Sequence, residues 1–170
     1  STDNVAVTNY QIFRNGVSVG NAGTATTYTV LGLTNGTSYT FTVVANDAAG
    51  NQSAVSNAAS ITTLDSESPR VISNLTASNT SDTSTRLSWG ASSDNVGVVN
   101  YEVYQDGTQI ASVGTNLTYT VNGLTNATTY SFYVIAQDAA SNDSPVSNII
   151  FVSTPDTDSP LAITDLAATN

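Results

Sequence analysis

The chain has 170 residues and a formal net charge of −10, carried by 13 Asp and Glu against 3 Arg, and it contains no Cys, His, Met or Lys. Those absences exclude a thiolate nucleophile, a Ser-His-Asp triad, an imidazole general base and zinc sites of the usual ligand types. Three cations cannot neutralise a run of phosphates, so nucleic acid and anionic membranes are excluded as partners. Thr, Ser and Asn supply 67 residues, while the 39% hydrophobic share is enough for a packed core. No apolar run approaches the roughly 18 residues of a spanning helix.

In chain order, the first signal is Asn15-Gly16, a two-residue hairpin turn between apolar-polar alternations. Tyr28-Thr29-Val30 and Gly32-Leu33-Thr34-Asn35 follow, then Asp47-Ala48-Ala49 and a Pro-bearing linker, Leu64–Pro69. Thr85–Trp89 alternates with Leu87 and Trp89 on one face. Asn100–Tyr104 places Tyr101 and Val103 against Asn100, Glu102 and Tyr104. Asp106-Gly107 marks a second hairpin. Tyr130, Phe132, Val134 and Ala136 then alternate with Ser131, Tyr133 and Ile135, ahead of the linker Pro155–Pro160. Period two with one apolar face predicts antiparallel strands packed on one side, and nothing offers a helical period.

These signals occur twice. Residues 1–79 align without a gap on residues 92–170 at an offset of 91, with 39 identities in 79 pairs. A 91-residue unit is right for a whole sandwich domain rather than a solenoid repeat. The predicted fold class is therefore all-β, a tandem of seven-stranded antiparallel β-sandwiches. Residues 1–64 form a module lacking its first two strands, 65–155 a complete module, and 156–170 a linker with the first strand of a third copy. The segment missing between the two ends corresponds to Thr80–Ala91, so the sequence reads as a window on a longer array. An open sandwich missing two strands exposes a core and two sheet edges, and the tail Leu161–Ala168 suggests strand addition onto the open copy of another chain, giving a filament.

Trp89, Tyr101-x-Val103 and the Leu124-to-Tyr130 spacing resemble a fibronectin type III module. The resemblance implies an immunoglobulin-like sandwich in which the Tyr130 hydroxyl bonds back to upstream backbone, the tyrosine corner. SerAspAsnValGlyVal at Ser93, ValTyrGlnAspGly at Val103 and AlaGlnAspAlaAlaSerAsn at Ala136 are similar to modules of bacterial secreted polysaccharide hydrolases and surface proteins. The resemblance implies a non-catalytic spacer or adhesion module placed outside the cell or on its surface.

No catalytic residues are assigned, since the carboxylates sit in turns and linkers. Asp65, Asp94 and Asp138 come from three loops that this topology gathers at one end of the sandwich. Hard oxygen ligands there suit Ca²⁺ at a domain junction; against this, Asp is an ordinary turn residue. No cofactor is otherwise called for. Tyr104 and Tyr133 point outward on neighbouring strands, offering a sugar platform or a plain cross-strand pair. Seven Asn-x-Ser/Thr triplets, such as those at Asn35 and Asn126, matter only if the source glycosylates them. Two functions follow. The main expectation is a stalk or fibre of adhesin type, whose partners are neighbouring modules; its short Pro-bearing linkers limit swivel. The alternative is an accessory linker or weak carbohydrate-binding module of a secreted polysaccharide hydrolase.

Overall fold

The computed structural model describes residue 4 and residues 6–165. The chain folds as two compact units, Ser1–Ser66 and Glu67–Asn170.

The first unit holds β1 (Val7–Arg14), β2 (Val17–Asn21), β3 (Ser38–Asp47) and β4 (Ala59–Thr62) in one antiparallel sheet ordered β2-β1-β3-β4. Asn15 and Gly16 both take positive φ, 51° and 79°. This is the mirror-image turn whose twist matches the flanking strands. Tyr10 and Ile12 of β1 and Phe41, Val43 and Ala45 of β3 line its inner face. Of these only Ile12 and Ala45 are buried.

The second unit holds β5 (Thr76–Ser78), β6 (Ser84–Ser88), β7 (Val98–Gln105), β8 (Thr108–Ser112), β9 (Thr118–Asn122), β10 (Thr129–Asp138) and β11 (Ile150–Ser153). They form two sheets, β5-β6-β9 and β11-β10-β7-β8, the expected seven-stranded sandwich. Leu75, Leu87 and Trp89 from the smaller sheet's side meet Tyr101, Val103, Phe132, Val134 and Ala136 of the larger one in a single core. Trp89 packs on Tyr101 with ring centroids 5.9 Å apart. Each large apolar side chain buried this completely contributes about 1.5–3 kcal/mol.

One side-chain device ties the two sheets and another holds the loop after β10 alongside that strand. The Asn148 side chain accepts from the Leu75 N–H and donates to the Leu75 carbonyl, both at 2.9 Å, so one amide serves a whole peptide unit beside β5. Pro145 has no N–H to offer a ladder. Beside it the Ser144 and Ser147 hydroxyls accept the N–H groups of Ala136 and Val134, at 2.9 and 3.0 Å. The tyrosine corner is present: the Tyr130 hydroxyl accepts from the Thr125 N–H at 2.9 Å. Its counterpart Tyr39 does the same with Thr34 at 2.7 Å.

The first copy differs from expectation at one element. Besides the two strands its sequence lacks, a third is not formed among the described residues. Thr27–Leu31 matches β9 at the 91-residue offset and shares its Thr-Tyr-Thr-Val, yet it forms no strand. In the second unit β9 pairs only with β6. With no β6 equivalent described, the segment has no ladder to join. The tail differs too: Leu161–Asp165 form no strand, and the rest of the proposed donor segment lies outside the described residues. No helix among them is long and apolar enough to cross a membrane.

Candidate functional site

Two of the three proposed ligands, Asp94 and Asp138, are held by their own turns. Asp138 ends β10 and is 2% exposed. Its Oδ1 accepts from the Ala140 and Asn142 N–H groups, both at 2.8 Å, and its Oδ2 from Asn142 Nδ2 at 2.8 Å. The carboxylate thereby ties a loop that reverses through Ser141, at φ 67°. Asp47 repeats this arrangement in the first unit, accepting from the N–H groups of Ala49 and Asn51 and from Asn51 Nδ2. Those bonds, the Asn51 side chain's first, hold the Asp47 carboxyl below the usual carboxylate range.

Asp94 lies in the loop between β6 and β7. Its Oδ2 accepts from the Val96 and Gly97 N–H groups at 2.9 and 3.0 Å. Oδ1 is closed off from solvent and accepts no hydrogen bond. Within the second unit the Asp94 and Asp138 carboxylates approach within 4.8 Å. Asp65 belongs to the first unit, half-buried beyond β4. Sequence reasoning identified these loops; it did not show how fully Asp138 is occupied by its own turn.

The outward tyrosines stand directly opposite one another, Tyr104 on β7 and Tyr133 on β10. Their rings stack at 4.7 Å between centroids and 10° between planes. A stacked pair spends one face of each ring on the other, which narrows any platform for a sugar. The Tyr104 hydroxyl donates to Glu102 Oε2 at 2.8 Å. That bond to an acceptor, followed by burial and the neighbouring negative charge, pushes the Tyr104 hydroxyl up to about 12. Phe13 and Thr42 occupy the matching positions in the first unit, so the stack does not repeat.

A third feature is the core face that the open first copy was expected to expose. The inner face of the first unit is a cleft of about 730 Å³ lined by Tyr10, Ile12, Tyr28, Val30, Phe41 and Val43, among others. The matching residues Val103, Phe132 and Val134 are fully buried in the second unit.

The family model of the fibronectin type III domain matches residues 67–153. Chitinase A1 of Niallia circulans is 48% identical over 159 residues, which are 91% of this chain and 22% of the chitinase. Exoglucanase B of Cellulomonas fimi is 41% identical over 180 residues, covering 99% of this chain and 16% of that enzyme. Among solved structures, Chitinase ChiA74 from Bacillus thuringiensis aligns with a TM-score of 0.51 at 36% identity, over 57% of this chain and 15% of that one. The chain thus spans about a fifth or less of the length of the relatives it matches.

Proposed function

The chain belongs to the fibronectin type III domain family, a non-catalytic module, and from that premise we propose that it is a spacer within an enzyme that degrades chitin or a glucan. The observation that carries the proposal is the extent of the matches. Nearly the whole chain aligns on a minor part of Chitinase A1 and of Exoglucanase B, leaving their catalytic work to the remainder. This favours the accessory reading over a stalk or fibre. Polymers of that size are attacked outside the cell, and an uncharged polar surface of Thr, Ser and Asn suits that setting. Neighbouring modules of the same protein are its proposed partners, and its proposed contribution is to keep a catalytic domain at a set distance from a solid substrate.

Replacing the matched region of Chitinase A1 with this chain tests the reading. A spacer leaves turnover of soluble oligomers unchanged and preserves activity on insoluble polymer. Loss of soluble turnover means that the region takes part in catalysis, and the proposal fails.

A second reading rests on Asp94. An enclosed carboxylate oxygen with no donor, on an Asp whose carboxylate approaches that of Asp138 within 4.8 Å, suits a hard cation. We propose Ca²⁺ there, with Asp94 and Asp138 as ligands and water completing the shell. A bound ion stabilises the folded state by mass action. The second unit therefore melts higher in calcium than in chelator, and equal midpoints at millimolar calcium discard the ion.

A further inference from the structure

We propose that the outer face of the sheet β11-β10-β7-β8 binds a neutral polysaccharide chain, with Phe151 as the stacking ring and the Asp106 and Glu102 carboxylates as hydroxyl acceptors. The spacer reading supplies only the kind of polymer, chitin or a glucan. Along β11 the side chains alternate. Val152 is 7% exposed and Ile150 packs on the core, so Phe151 between them points outward and is 75% exposed. Its partner across the ladder is Ser131. The Ser131 N–H and hydroxyl both donate to Asp106 Oδ1, at 2.8 and 3.0 Å. The small Ser131 side chain leaves a shelf between Phe151 and Asp106. Two strand spacings, about 10 Å, span it, a width that a short oligosaccharide covers. The stacked Tyr104 and Tyr133 stand beside the shelf on the same face.

Three observations select a sugar chain as the occupant. A pyranose offers C–H groups to the electron-rich face of an aromatic ring and hydroxyl donors to carboxylates. Each carboxylate here has one oxygen to give: Tyr104 takes Glu102 Oε2 and Ser131 takes Asp106 Oδ1, while Oε1 and Oδ2 accept nothing from the described residues. The charge is one-sided. Arg14 lies on β1, Arg70 ahead of β5 and Arg86 on β6, so this sheet carries carboxylates and no cation. It repels nucleic acid, acidic proteins and a second copy of net charge −10, and it does not repel a neutral polymer. Finally, the first unit builds the same sheet without the site. Ser60 stands in place of Phe151, Thr42 of Tyr133, Asn15 of Asp106 and Gln11 of Glu102. Ser60 bonds across its ladder to the Thr40 hydroxyl at 3.2 Å, an ordinary hydroxyl pair where Phe151 stands free. The fold therefore requires neither the ring nor the charges, and the second unit carries all of them together.

The test titrates the full chain, isotopically labelled, with a soluble chitin oligosaccharide in one arm and a cellulose oligosaccharide in the other, read by amide NMR shifts. Saturable shifts are expected at Ser131, Tyr133 and Phe151 in at least one arm, with the matched Thr40, Thr42 and Ser60 unmoved. The arm that responds identifies the polymer. Phe151→Ser, at an exposed position that leaves the core shifts in place, weakens binding at least about ten-fold. Asp106→Asn weakens it by about three-fold, the loss of one charge-assisted hydrogen bond. No shift in either arm at millimolar sugar overturns the proposal, as do equal shifts at the matched residues of both units. Unchanged affinity in Phe151→Ser overturns it as well. So do shifts at Phe151 that grow with chain concentration in the absence of sugar, since the face then receives a second copy. A chain that fails to bind can still be a spacer, which the chitinase replacement tests through turnover.

Discussion

Thr-Tyr-Thr-Val occurs at Thr27 and again at Thr118, and only the second occurrence is a strand. The β-propensity, side-chain alternation and flanking glycine of the two segments are the same. What differs is the neighbour. Thr118–Asn122 lies beside β6, which answers its backbone groups, and Val121 is 4% exposed. Thr27–Leu31 has no such edge, and Tyr28 and Leu31 are exposed. The pair teaches that strand identity here is a tertiary property: β-propensity reports fitness for a pleated, half-buried surface and does not itself supply the partner. The same contrast runs through the inner faces. Val152 is 7% exposed on β11, and its counterpart Ile61 is 49% exposed on β4.

Matched substitutions break or sharpen that contrast. The largest separation is expected at the central phenylalanines. Phe132→Ala empties a fully enclosed site and costs about 3–5 kcal/mol in denaturant unfolding followed by Trp89 fluorescence. Phe41→Ala acts on a half-buried ring beside an open cleft, so it costs less than half as much in exchange of the β3 amides. Equal costs mean that the first unit has its core covered after all.

Next in size are the strand-clamping amides. Asn148→Ala leaves the Leu75 N–H and carbonyl without their partner and costs about 1–3 kcal/mol. Asn57→Ala, at an exposed side chain, stays within about 0.5 kcal/mol. A large effect at Asn57 indicates that it already holds a strand.

The smallest expected effect concerns the tyrosine stack, which only the second unit has. Tyr104 holds its proton to about 12, chiefly through its hydrogen bond to Glu102. With the folded value raised above the ordinary one near 10, its contribution to stability is complete below pH 10 and fades as pH rises toward 12. Ultraviolet titration of Glu102→Gln therefore shows one tyrosine ionising earlier than in the parent chain. An unmoved curve places the cause elsewhere.

Much of the fold was legible because period-two alternation and the paired turns Asn15-Gly16 and Asp106-Gly107 encode strands and hairpins locally. The gapless repeat then set the domain scale. The tyrosine corner was legible from the resemblance, through Leu124 and Tyr130. The state of Thr27–Leu31 was not, since it depends on a neighbour that the segment does not encode. The acidic residues were partly legible. Their loops could be named from the topology, but the three bonds that Asp138 accepts within its own turn depend on the folded backbone, and the closure around Asp94 Oδ1 depends on packing that residue type does not encode. The tyrosines show the same limit: adjacency of Tyr104 and Tyr133 was readable, and the face-to-face stack that narrows a sugar platform was not.

The most direct measurement is amide hydrogen exchange of the full chain, compared residue by residue across the offset of 91. The account predicts strong protection at Thr118–Val121 and exchange close to the unstructured rate at Thr27–Val30, while β1 and β3 remain protected beside it. Equal protection of the two Thr-Tyr-Thr-Val segments would contradict the claim that a second sheet makes the strand.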